Sequence, residues 1–383
     1  MRMTKNRINV LHLVLDMRIG GLQRWVADTT AMMHGGEFNI EVACLNDLGI
    51  FAEQLTERGI TVTLLQKNQE HFDALCPFRL ARFLWKHDID VLHVHTGAFL
   101  FGATAAAISR VPVSVYTEHG RFKTRTLIPQ IEDRISGRLI DRIIAVSKEL
   151  ERYLVQEVRL PAHKVQTVIN GIETRRFAYR AKPARLLEEF GLSQSSRILG
   201  TVARLDEVKD QLGMLKAFQL VREKYPDSRL FLVGDGPMRH VLSDYIEGND
   251  LSSSVTITGY RQDIPDILNL LDVFLLSSLS EGTSISLLEA MASGVPPVVT
   301  RVGGNVSIVD DRVDGLLVEP GAAGEMSDAI AQLLDDDSKR RQFGERAMKK
   351  VRETFSLDRM AKTYTGIYFD LLREKGRSCP ACS

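Results

Sequence analysis

The sequence predicts an α/β protein built from two doubly wound parallel sheets. Short apolar runs of strand length alternate with amphipathic stretches of helix length along the 383-residue chain. Alternation at this spacing is typical of βαβ units, in which helices cover both faces of a parallel sheet. A polar and basic interval at 174–196 separates two series of this alternation. We therefore expect one domain on each side of a hinge in this interval, with a cleft between the two domains.

Six apolar runs of the first series are predicted strands, and they define an N-terminal domain over 1–180. Helices are predicted between them at 22–33 and 98–109, where apolar residues recur at helical spacing. The strand runs are residues 8–15, 39–45, 61–65, 91–95, 113–119 and 142–147.

The second series predicts a C-terminal domain over 181–355, with its first long helix at 211–224. The remaining residues, 356–383, are predicted to form a helix that crosses back to the first domain, followed by a flexible tail. The strand runs of this series are residues 197–203, 229–234, 254–259, 272–278, 296–300 and 314–320.

Composition and charge exclude several classes of protein. The chain has 49 basic and 49 acidic residues, so no overall field favours nucleic acid. It is 44% hydrophobic, which argues against disorder. No window approaches eighteen uncharged apolar residues, and no cleavage site follows the first apolar run, so we expect a cytoplasmic protein with no spanning helix.

Cysteines and paired aspartates give weak signals for a metal. Cys44 and Cys76 lie in apolar contexts and are predicted to be buried thiols. Cys379 and Cys382 form a single CxxC pair, which a flexible tail explains better than a metal site. The D-x-D strings at 88–90 and 335–337 are interpreted as structural. We therefore expect no metal and no other cofactor.

Ligands of open parallel sheets bind beyond the carboxyl ends of the strands, so the residues after each strand are the candidates. Gly20 and Gly21 follow the first strand and precede a helix. Glycines there let backbone N–H groups approach an anion at the helix N-terminus, although a tight turn explains them equally well. The pattern is not GxGxxG, which weakens a nicotinamide hypothesis.

Two cations follow the first strand of the second series. Arg204 and Lys209 lie in the loop that leads into the helix at 211–224. A guanidinium and an ammonium near a helix N-terminus suit a diphosphate. The alternative is a solvated loop, in which both cations pair with Asp206, Glu207 and Asp210.

Glycine turns follow the next two strands. Gly234 leaves the backbone accessible to a ligand. Tyr260 and Arg261 are predicted to line the binding site of a planar base. The alternative is turn chemistry alone, with Asp263 as the N-cap of the next helix.

Two glutamates eight positions apart follow the fourth strand. Glu281 begins a loop, Gly282-Thr283-Ser284, whose amides lie at the positive end of the next helix and can donate to phosphate or sugar oxygens. Glu289 lies inside that helix, where it reaches a different part of one extended ligand, such as a ribose diol. The alternative is a capping glutamate followed by a solvated helix glutamate.

These residues carry a resemblance to a known family. The segment SEGTSISLLEAMASGVPPVVTRVGGN (280–305) is similar to the E-x7-E region of the family 4 glycosyltransferases, which have the GT-B fold of two Rossmann-like domains. Gln23, Glu173 and Asp210 depart from the family pattern. The other matching segments are GGLQRWV, YTEHG, IIAVS, VINGIETRRF and VARLDEVKD.

The resemblance implies a role for each candidate. Arg204 and Lys209 neutralise the donor diphosphate, which Gly20 and Gly21 also approach. Glu281 contacts the donor sugar, and Glu289 holds the ribose. His119, in the YTEHG segment, faces the transferred sugar.

The resemblance also implies the reaction. The expected enzyme is a retaining, metal-independent hexosyltransferase that moves a sugar from a UDP- or GDP-sugar to a hydroxyl of a lipid-linked or glycan acceptor. The acceptor binds the N-terminal domain, and the pathway makes cell-surface polysaccharide or glycolipid. Two alternatives remain open: a nucleotide-sugar epimerase or hydrolase on the same fold, and a non-catalytic sugar-binding protein.

A basic segment at 120–142 suggests peripheral contact with an anionic membrane, at the inner face of the cytoplasmic membrane. Arg134, Arg138 and Arg142 recur at i, i+4 and i+8 and are predicted to share one helix face. The cations Arg121, Lys123 and Arg125 precede them. The alternative is a solvated face partly neutralised by nearby acidic residues.

Overall fold

The computed structural model describes residues 7–65, 73–120 and 127–377. Contacts divide the chain into two units. Unit 1 contains the residues up to Asn170 together with those from Leu357 onward, and unit 2 runs from Gly171 to Ser356. The sequence placed this boundary later, at 180.

Unit 1 is a parallel sheet with strand order β3-β2-β1-β4-β5-β6-β7 in the described residues. Its strands are β1 (Ile8–Asp16), β2 (Phe38–Asp47), β3 (Val62–Leu64), β4 (Val91–His95), β5 (Val113–Glu118), β6 (Arg142–Ala145) and β7 (Val165–Thr167). Its helices before the boundary are α1 (Gly21–Met33), α2 (Gly49–Glu57), α3 (Cys76–Lys86), α4 (Phe99–Ser109), α5 (Leu127–Leu139) and α6 (Lys148–Gln156). Each of the six predicted runs overlaps one of these strands, and β7 is the strand that the sequence did not predict.

Apolar side chains on both faces of this sheet explain its position in the interior. Residues of β1 contribute to two separate core clusters, Val10 and Val14 to one and Leu11 and Leu13 to the other. Successive strand residues point to opposite faces, so a strand with apolar residues on both faces needs helices on both sides. The first cluster includes residues of α1 and α2, and the second includes residues of α3, α4 and α6.

Unit 2 is a second parallel sheet, with strand order β10-β9-β8-β11-β12-β13 in the described residues. Its strands are β8 (Ile198–Val202), β9 (Arg229–Val233), β10 (Val255–Gly259), β11 (Val273–Leu276), β12 (Pro297–Thr300) and β13 (Leu316–Val318). Its helices are α7 (Ala184–Glu189), α8 (Gln211–Lys224), α9 (Arg239–Gly248), α10 (Ile264–Leu270), α11 (Ile285–Ala292), α12 (Asn305–Ile308), α13 (Ala323–Asp335) and α14 (Asp337–Thr354).

The interval at 174–196, predicted as a hinge, contains the helix α7. Leu186 and Leu187 of this helix are buried, and the interval belongs to unit 2. The boundary between the units precedes this interval, and two adjacent leucines supply the buried side that its short helix needs.

The last helix, α15 (Leu357–Glu374), belongs to unit 1. Its Met360, Tyr364 and Tyr368 are buried in the first core cluster. The indole Nε1 of Trp25 in α1 lies 3.0 Å from Sδ of Met360. The structure therefore confirms two doubly wound α/β domains with a C-terminal helix that returns to the first.

Each sheet has a point where the strand order reverses, and this point positions the candidate site. In unit 1 the chain builds outward from β1 to β3 and then returns to place β4 on the other side of β1. In unit 2 the corresponding neighbours are β8 and β11. Loops at such a point diverge and leave a crevice beyond the carboxyl ends of the strands.

Two smaller features complete the description. Cys44 and Cys76 are buried free thiols, as predicted, and burial raises the pKa of Cys44 to about 12. Among the described helices, none combines the length and the apolar character that crossing a bilayer requires.

Candidate functional site

The loop after β8 carries Arg204 on a backbone that is fixed on both sides. The amide of Ala203 donates to the carbonyl of Val233, and the amide of Leu205 donates to the carbonyl of Asp235. Arg204 lies between these two attachments, with 65% of its side chain exposed. Its guanidinium pairs with Asp206, as the solvated-loop alternative expected.

Lys209 ends a turn of 3-10 helix, and Asp210 starts the next helix. The carboxylate of Asp206 accepts from the amide of Val208 at 3.0 Å, and that of Asp210 accepts from the amide of Gly213 at 3.1 Å. Asp210 has a left-handed backbone, with φ 45°. Glycine adopts this conformation at no steric cost, and aspartate is one of the few other residues that tolerate it. This explains how Asp210 replaces the glycine of the family pattern.

Lys209 does not pair as the solvated-loop alternative expected. Its Nζ lies 2.5 Å from Oε1 of Glu281, in the loop that follows β11. The hydroxyl of Ser278 donates to the same oxygen at 2.6 Å. The Lys209 side chain is 22% exposed and that of Glu281 only 7%. The two residues thus form a largely covered ion pair between two loops.

Backbone contacts hold these two loops together. The hydroxyl of Ser277 lies 2.8 Å from the carbonyl oxygens of both Lys209 and Asp210. The amide of Leu279 donates to the carbonyl of Val208 at 2.8 Å. The loops after β8 and β11 therefore behave as one structure, located where the strand order of unit 2 reverses.

Helix α11 begins directly after the Glu281 loop. Its N-cap is Ser284, whose hydroxyl accepts from the amide of Leu287 at 3.3 Å. Gly282, Thr283 and Glu289 are half-buried, and the neighbours of Glu289 in the helix, Leu288 and Ala290, are buried. The structure places Glu281 before the helix and Glu289 in its second turn, as predicted.

Gly303 and Gly304 support this loop, and the sequence analysis did not assign them a role. A Cβ atom on Gly303 would lie 1.8 Å from the carbonyl oxygen of Glu281, and one on Gly304 would lie 1.9 Å from that of Gly282. No side chain fits at such distances, because backbone cannot move aside as a flexible side chain can. The adjacent glycines within the family segment were the signal for this contact.

Glycine also sets the approach between the loops after β8 and β9. A Cβ atom on Gly234 would lie 2.1 Å from the carbonyl oxygen of Ala203. Gly234 has φ 140°, and its amide donates to the carbonyl of Gly259 at 3.0 Å. The loop that carries Arg204 therefore needs a glycine beside it.

The two residues expected to wall a base differ in their surroundings. The Tyr260 side chain is 48% exposed. The guanidinium of Arg261 pairs with Glu189 of α7 and with Asp263, and it lies over the ring of Phe190. These pairs raise the pKa of Arg261 and lower that of Asp263. Asp263 does occupy the N-cap position of α10, but its side chain makes no capping bond, so that part of the prediction was wrong.

In unit 1, Gly20 precedes α1, which begins at Gly21. Gly20 has an extended backbone, with φ 177°, that any residue can adopt. A Cβ atom there would meet only the end of the flexible Gln23 side chain, with Oε1 at 2.2 Å. Gln23 itself donates to Asp16 at 3.0 Å. The free chain thus tolerates a side chain at Gly20.

His119 follows β5 and is half-buried among aromatic side chains. Its amide donates to the hydroxyl of Thr96 at 2.8 Å, and its ring lies 5.1 Å from that of Trp25. Its Nε2 lies 3.0 Å from Nδ1 of His95, whose Nε2 lies 2.9 Å from Nδ1 of His12. Burial lowers the pKa of His119 and of His12 to about 3.

His93 extends this group of histidines. Its Nδ1 lies 2.6 Å from the hydroxyl of Tyr368, and its Nε2 lies 2.7 Å from that of Thr117. Burial and the neighbouring histidines hold the pKa of His93 and of His95 well below the usual range. In the alternating strand β4, His93 and His95 share a face, and His93 is in register with His12 of β1. The His-x-His spacing was the sequence signal for this cluster.

His12, His93 and His95 each offer a ring nitrogen, and these nitrogens lie within 4.8 Å of one another. Such a group is close enough to hold a metal ion. Both nitrogens of His93 and of His95 are already engaged in hydrogen bonds. A metal would have to break these bonds and bury its charge without a carboxylate in the set, which is costly.

Other predicted features have structural explanations or lie outside the description. Asp90 accepts from the amide of Asn9 at 3.0 Å, and Asp335 pairs with Lys224 at 2.6 Å, so both D-x-D strings contribute structural contacts. Arg121, Lys123, Arg125, Cys379 and Cys382 lie outside the described residues.

The predicted basic face of 120–142 is different in the structure. Helix α5 ends at Leu139, and Arg142 belongs to β6. Nε of Arg134 donates to the carbonyl of Val158 at 2.8 Å. The prediction of three arginines on one helix face was wrong, because the helical spacing was continued across the end of the helix.

Comparison with known proteins agrees with this arrangement. The family Glycosyltransferase Family 4 matches residues 19–176, and the family Glycosyl transferases group 1 matches residues 185–350. The N-acetyl-alpha-D-glucosaminyl L-malate synthase of Bacillus anthracis is 30% identical over 311 residues, which are 79% of this chain and 80% of the relative. The UDP-Gal:alpha-D-GlcNAc-diphosphoundecaprenol alpha-1,3-galactosyltransferase of Escherichia coli is 28% identical over 350 residues, which are 88% and 90% of the two chains.

Solved structures share the fold. The crystal structure of HepE from Anabaena in complex with UDP has a TM-score of 0.83 at 22% identity, covering 95% of this chain and 100% of its own. TarM of S. aureus has a TM-score of 0.77 at 13% identity, covering 95% and 100%. The family matches, the relative from Bacillus anthracis and the shared architecture establish that the chain belongs to glycosyltransferase family 4 and is a glycosyltransferase of the GT-B fold.

Proposed function

We propose that the protein is a retaining hexosyltransferase that uses a UDP-sugar. The observation that carries this proposal is the arrangement of Arg204, Lys209 and Glu281 at the reversal point of the unit 2 sheet. Two cations and a carboxylate held there suit a ligand with an anionic diphosphate next to hydroxyl groups. The nucleotide sugar has both parts.

The cations would stabilise the charge that develops during the reaction. Departure of the nucleoside diphosphate breaks the bond between the anomeric carbon and the β-phosphate oxygen, and negative charge builds on that phosphate. Arg204 and Lys209 would lie against it once the donor is bound, so that positive charge is in place when the bond breaks. Because protein cations serve the leaving group, we propose that the reaction needs no metal.

Retention requires the acceptor oxygen to form its bond on the face from which the diphosphate leaves. In this proposal the acceptor hydroxyl passes its proton to the leaving phosphate, so atoms and charge balance without a protein nucleophile. Glu281 would bind the sugar hydroxyls once Lys209 turns toward the diphosphate, Glu289 would hold the ribose, and His119 would contact the transferred sugar. Gly20 would let the backbone approach the diphosphate closely, a role that fits a position where nothing in the free chain requires glycine.

The choice of UDP rests on the relatives. The Escherichia coli relative is named for UDP-Gal, and HepE was crystallised with UDP and with UDP-glucose. The exposed ring of Tyr260 is available to stack on a base, whereas Arg261 is held in ion pairs. GDP remains the second candidate.

We further propose a lipid-linked acceptor at an anionic membrane surface on the cytoplasmic side, in cell-surface glycan assembly. Ile131, Ile135 and Leu139 recur at i, i+4 and i+8 on α5, and each is more than 40% exposed. Arg138, also exposed, lies on the same helix. Apolar side chains beside a cation suit the interface of an anionic bilayer. The Escherichia coli relative is named for a diphosphoundecaprenol-linked acceptor.

A nucleotide screen tests the proposed donor. The melting temperature is measured with UDP, GDP and ADP and with their sugars, because a ligand that binds only the folded state raises it. We expect UDP and UDP-hexoses to raise it most. Selective stabilisation by GDP would overturn the choice of base, and no stabilisation by any nucleotide would overturn the donor site.

A product assay separates transfer from the alternatives. With a UDP-hexose and a lipid-linked acceptor, we expect UDP release that depends on the acceptor. Conversion of the donor without any acceptor would indicate an epimerase or hydrolase instead. Tight binding without conversion would indicate a sugar-binding protein.

A further inference from the structure

Three histidines of unit 1, of which His12 and His95 are buried and His119 is half-buried, form a hydrogen-bonded chain that ends at His119, the proposed sugar contact. We propose that His12 and His95 are positioning residues that hold His119 as a neutral imidazole with its proton on Nδ1. His119 would then donate a hydrogen bond to an oxygen of the bound donor. That last step rests on the proposed function, whereas the tautomer itself does not.

The chain is defined by two short contacts. Nε2 of His119 lies 3.0 Å from Nδ1 of His95, and Nε2 of His95 lies 2.9 Å from Nδ1 of His12. His12 and His95 have no exposed surface. Both nitrogens of His95 are thereby engaged, one toward each neighbour.

These contacts allow only two proton arrangements for neutral rings. A neutral imidazole has one N–H donor and one acceptor nitrogen, so His95 must donate to one neighbour and accept from the other. If His95 donates to His119, all three rings carry the proton on Nδ1. If it accepts from His119, all three carry it on Nε2. The state of one ring therefore fixes the other two.

The far end of the chain selects between the two arrangements. Nε2 of His12 is buried and has no hydrogen-bond partner among the residues that the structure describes. With the protons on Nδ1, this nitrogen is an unpaired acceptor, and with the protons on Nε2 it is an unpaired N–H donor. Among buried backbone groups, an unpaired N–H is rarer than an acceptor that lacks a partner, and we extend this preference to the ring nitrogens. The arrangement with protons on Nδ1 is therefore favoured.

The lack of a partner for Nε2 of His12 among the described residues also excludes a relay of protons through the chain to solvent. A proton that entered at His119 would reach Nε2 of His12 and find no partner among the described residues to accept it. Burial also disfavours a charged imidazolium, since His12 and His95 have no exposed surface. The chain orients a neutral ring instead of transporting charge.

The functional consequence lies at Nδ1 of His119. This atom has no hydrogen-bond partner in the segments 7–65, 73–120 and 127–377. In the arrangement proposed, it presents an N–H group, which recognises an oxygen acceptor such as a sugar hydroxyl or a phosphate oxygen. The opposite arrangement would present a lone pair there and would reject a phosphate oxygen.

Nitrogen NMR of the full-length protein tests the tautomer directly. Protein labelled with ¹⁵N in histidine is studied at neutral pH, where ring-nitrogen shifts distinguish N–H from lone-pair nitrogens. Signals are assigned by replacing each histidine in turn. We expect N–H at Nδ1 and a lone pair at Nε2 for His12, His95 and His119. N–H at Nε2 of His119, or a charged ring, would overturn the proposal.

Variants test whether His95 acts through His119. His95→Phe keeps a ring but removes both hydrogen bonds, so His119 should populate both tautomers and kcat should fall about 10- to 100-fold, the usual scale for losing an orienting partner. His95→Gln offers one donor and one acceptor and should recover part of both effects. His93→Phe is the matched control, since His93 lies on the same strand face but binds Tyr368 and Thr117. An equal change of the His119 tautomer in His93→Phe would contradict the proposal.

Nucleotide binding distinguishes a failure of the proposed function from a failure of the histidine chain. UDP calorimetry on the His95→Phe variant should give a Kd within about threefold of the parent, because the base and diphosphate contacts are assigned to unit 2. If the tautomer is as expected but the parent shows no heat with UDP, the proposed function fails and the positioning chain remains. If UDP binds and His119 carries N–H at Nε2, only the positioning chain fails.

Discussion

Nζ of Lys209 lies 2.5 Å from Oε1 of Glu281, although the two residues are 72 positions apart in sequence. The family resemblance assigns them to different parts of one ligand, yet in the free chain they neutralise each other. An unpaired carboxylate as covered as Glu281 would be costly, and the pair removes that cost until a ligand arrives. In the function proposed here, donor binding would redirect Lys209 toward the diphosphate and free the carboxylate of Glu281 for hydroxyl groups.

Replacing Lys209 tests this arrangement. Lys209→Met keeps most of the side-chain volume but removes the charge, and we expect transfer to fall about 10²- to 10³-fold, the scale for losing one group that stabilises a developing anion. UDP release is measured with acceptor present. Lys216→Met, at an exposed position on α8, is the control and should keep parental activity. Near-parental turnover in Lys209→Met would show that Lys209 does not contribute to the donor site.

Gly304 should tolerate no side chain. Gly304→Ala places a methyl group 1.9 Å from the carbonyl oxygen of Gly282 and must displace the loop that carries Glu281. We expect the free energy of unfolding to fall by roughly 1–3 kcal/mol, which lowers the melting temperature, and the activity to fall at least tenfold. Gly324→Ala, at the start of α13 with nothing within 4 Å, is the control and should be neutral or slightly stabilising. Equal behaviour of the two variants would contradict the proposed contact.

Asp210 gives a prediction with opposite outcomes for two substitutions. Asp210→Gly removes the strain of a left-handed backbone and loses a capping bond, so stability should change by less than about 0.5 kcal/mol. Asp210→Ala loses the cap and keeps the strain, so it should cost about 1–3 kcal/mol. Thermal unfolding followed by circular dichroism measures both. A more stable Ala variant than Gly variant would show that φ 45° does not describe this residue in solution.

The buried histidines should make stability depend on pH. The pKa of His12 falls from its ordinary 6.5 to about 3 on folding, so below pH 6.5 the unfolded state binds a proton that the folded state does not. The contribution of a neutral buried histidine to the free energy of unfolding is therefore fully present above pH 6.5. It decreases as the pH falls toward 3, by up to about 1.4 kcal/mol per pH unit for each such histidine.

Urea unfolding between pH 7.5 and 5 measures this slope. His12→Phe should reduce it by the share of one histidine, whereas His163→Gln, at an exposed position, should leave it as in the parent. An unchanged slope in His12→Phe would show that His12 binds its proton equally in both states.

The apolar face of α5 should decide membrane binding. The triple variant Ile131→Ser, Ile135→Ser and Leu139→Ser should lose most of its recovery with anionic vesicles at low salt, because it removes apolar area from the interface. Cosedimentation is measured with and without anionic lipid. Leu220→Ser, at an exposed position in unit 2, is the control and should bind as the parent does. Equal recovery of the parent with neutral and anionic vesicles would exclude an anionic surface.

Local patterns predicted most of the fold, because alternation of strand and helix is a property of short segments. Strand β7 (Val165–Thr167) was missed because Gln166 interrupts its apolar residues, whereas β3 is as short but lies in the apolar run 61–65. Arg142 was misplaced because a helical spacing can be counted past the end of a helix. The candidate residues Arg204, Lys209 and Glu281 were found from their charge and their position after predicted strands, and the family resemblance then gave each a role. Their mutual pairing was not found, because contact across 72 positions is a property of the sheet topology and leaves no local pattern.

The histidine cluster shows the same limit. His93-Val94-His95 indicated two side chains on one strand face, but the partners His12, His119 and Tyr368 come from other elements. The register of β1, β4 and β5 brings the histidines together, and the packing of α15 adds Tyr368.

Helix α15 has a consequence for how the chain acquires its structure during translation. The N-terminal unit takes Met360, Tyr364 and Tyr368 into its interior, and these side chains leave the ribosome after the whole of unit 2. Unit 2 is contiguous in sequence and can fold as soon as it emerges, while the unit made first must wait with Trp25 and His93 lacking their final neighbours. Unit 1 is thus the first unit to be synthesised and the last to have all of its residues available for folding.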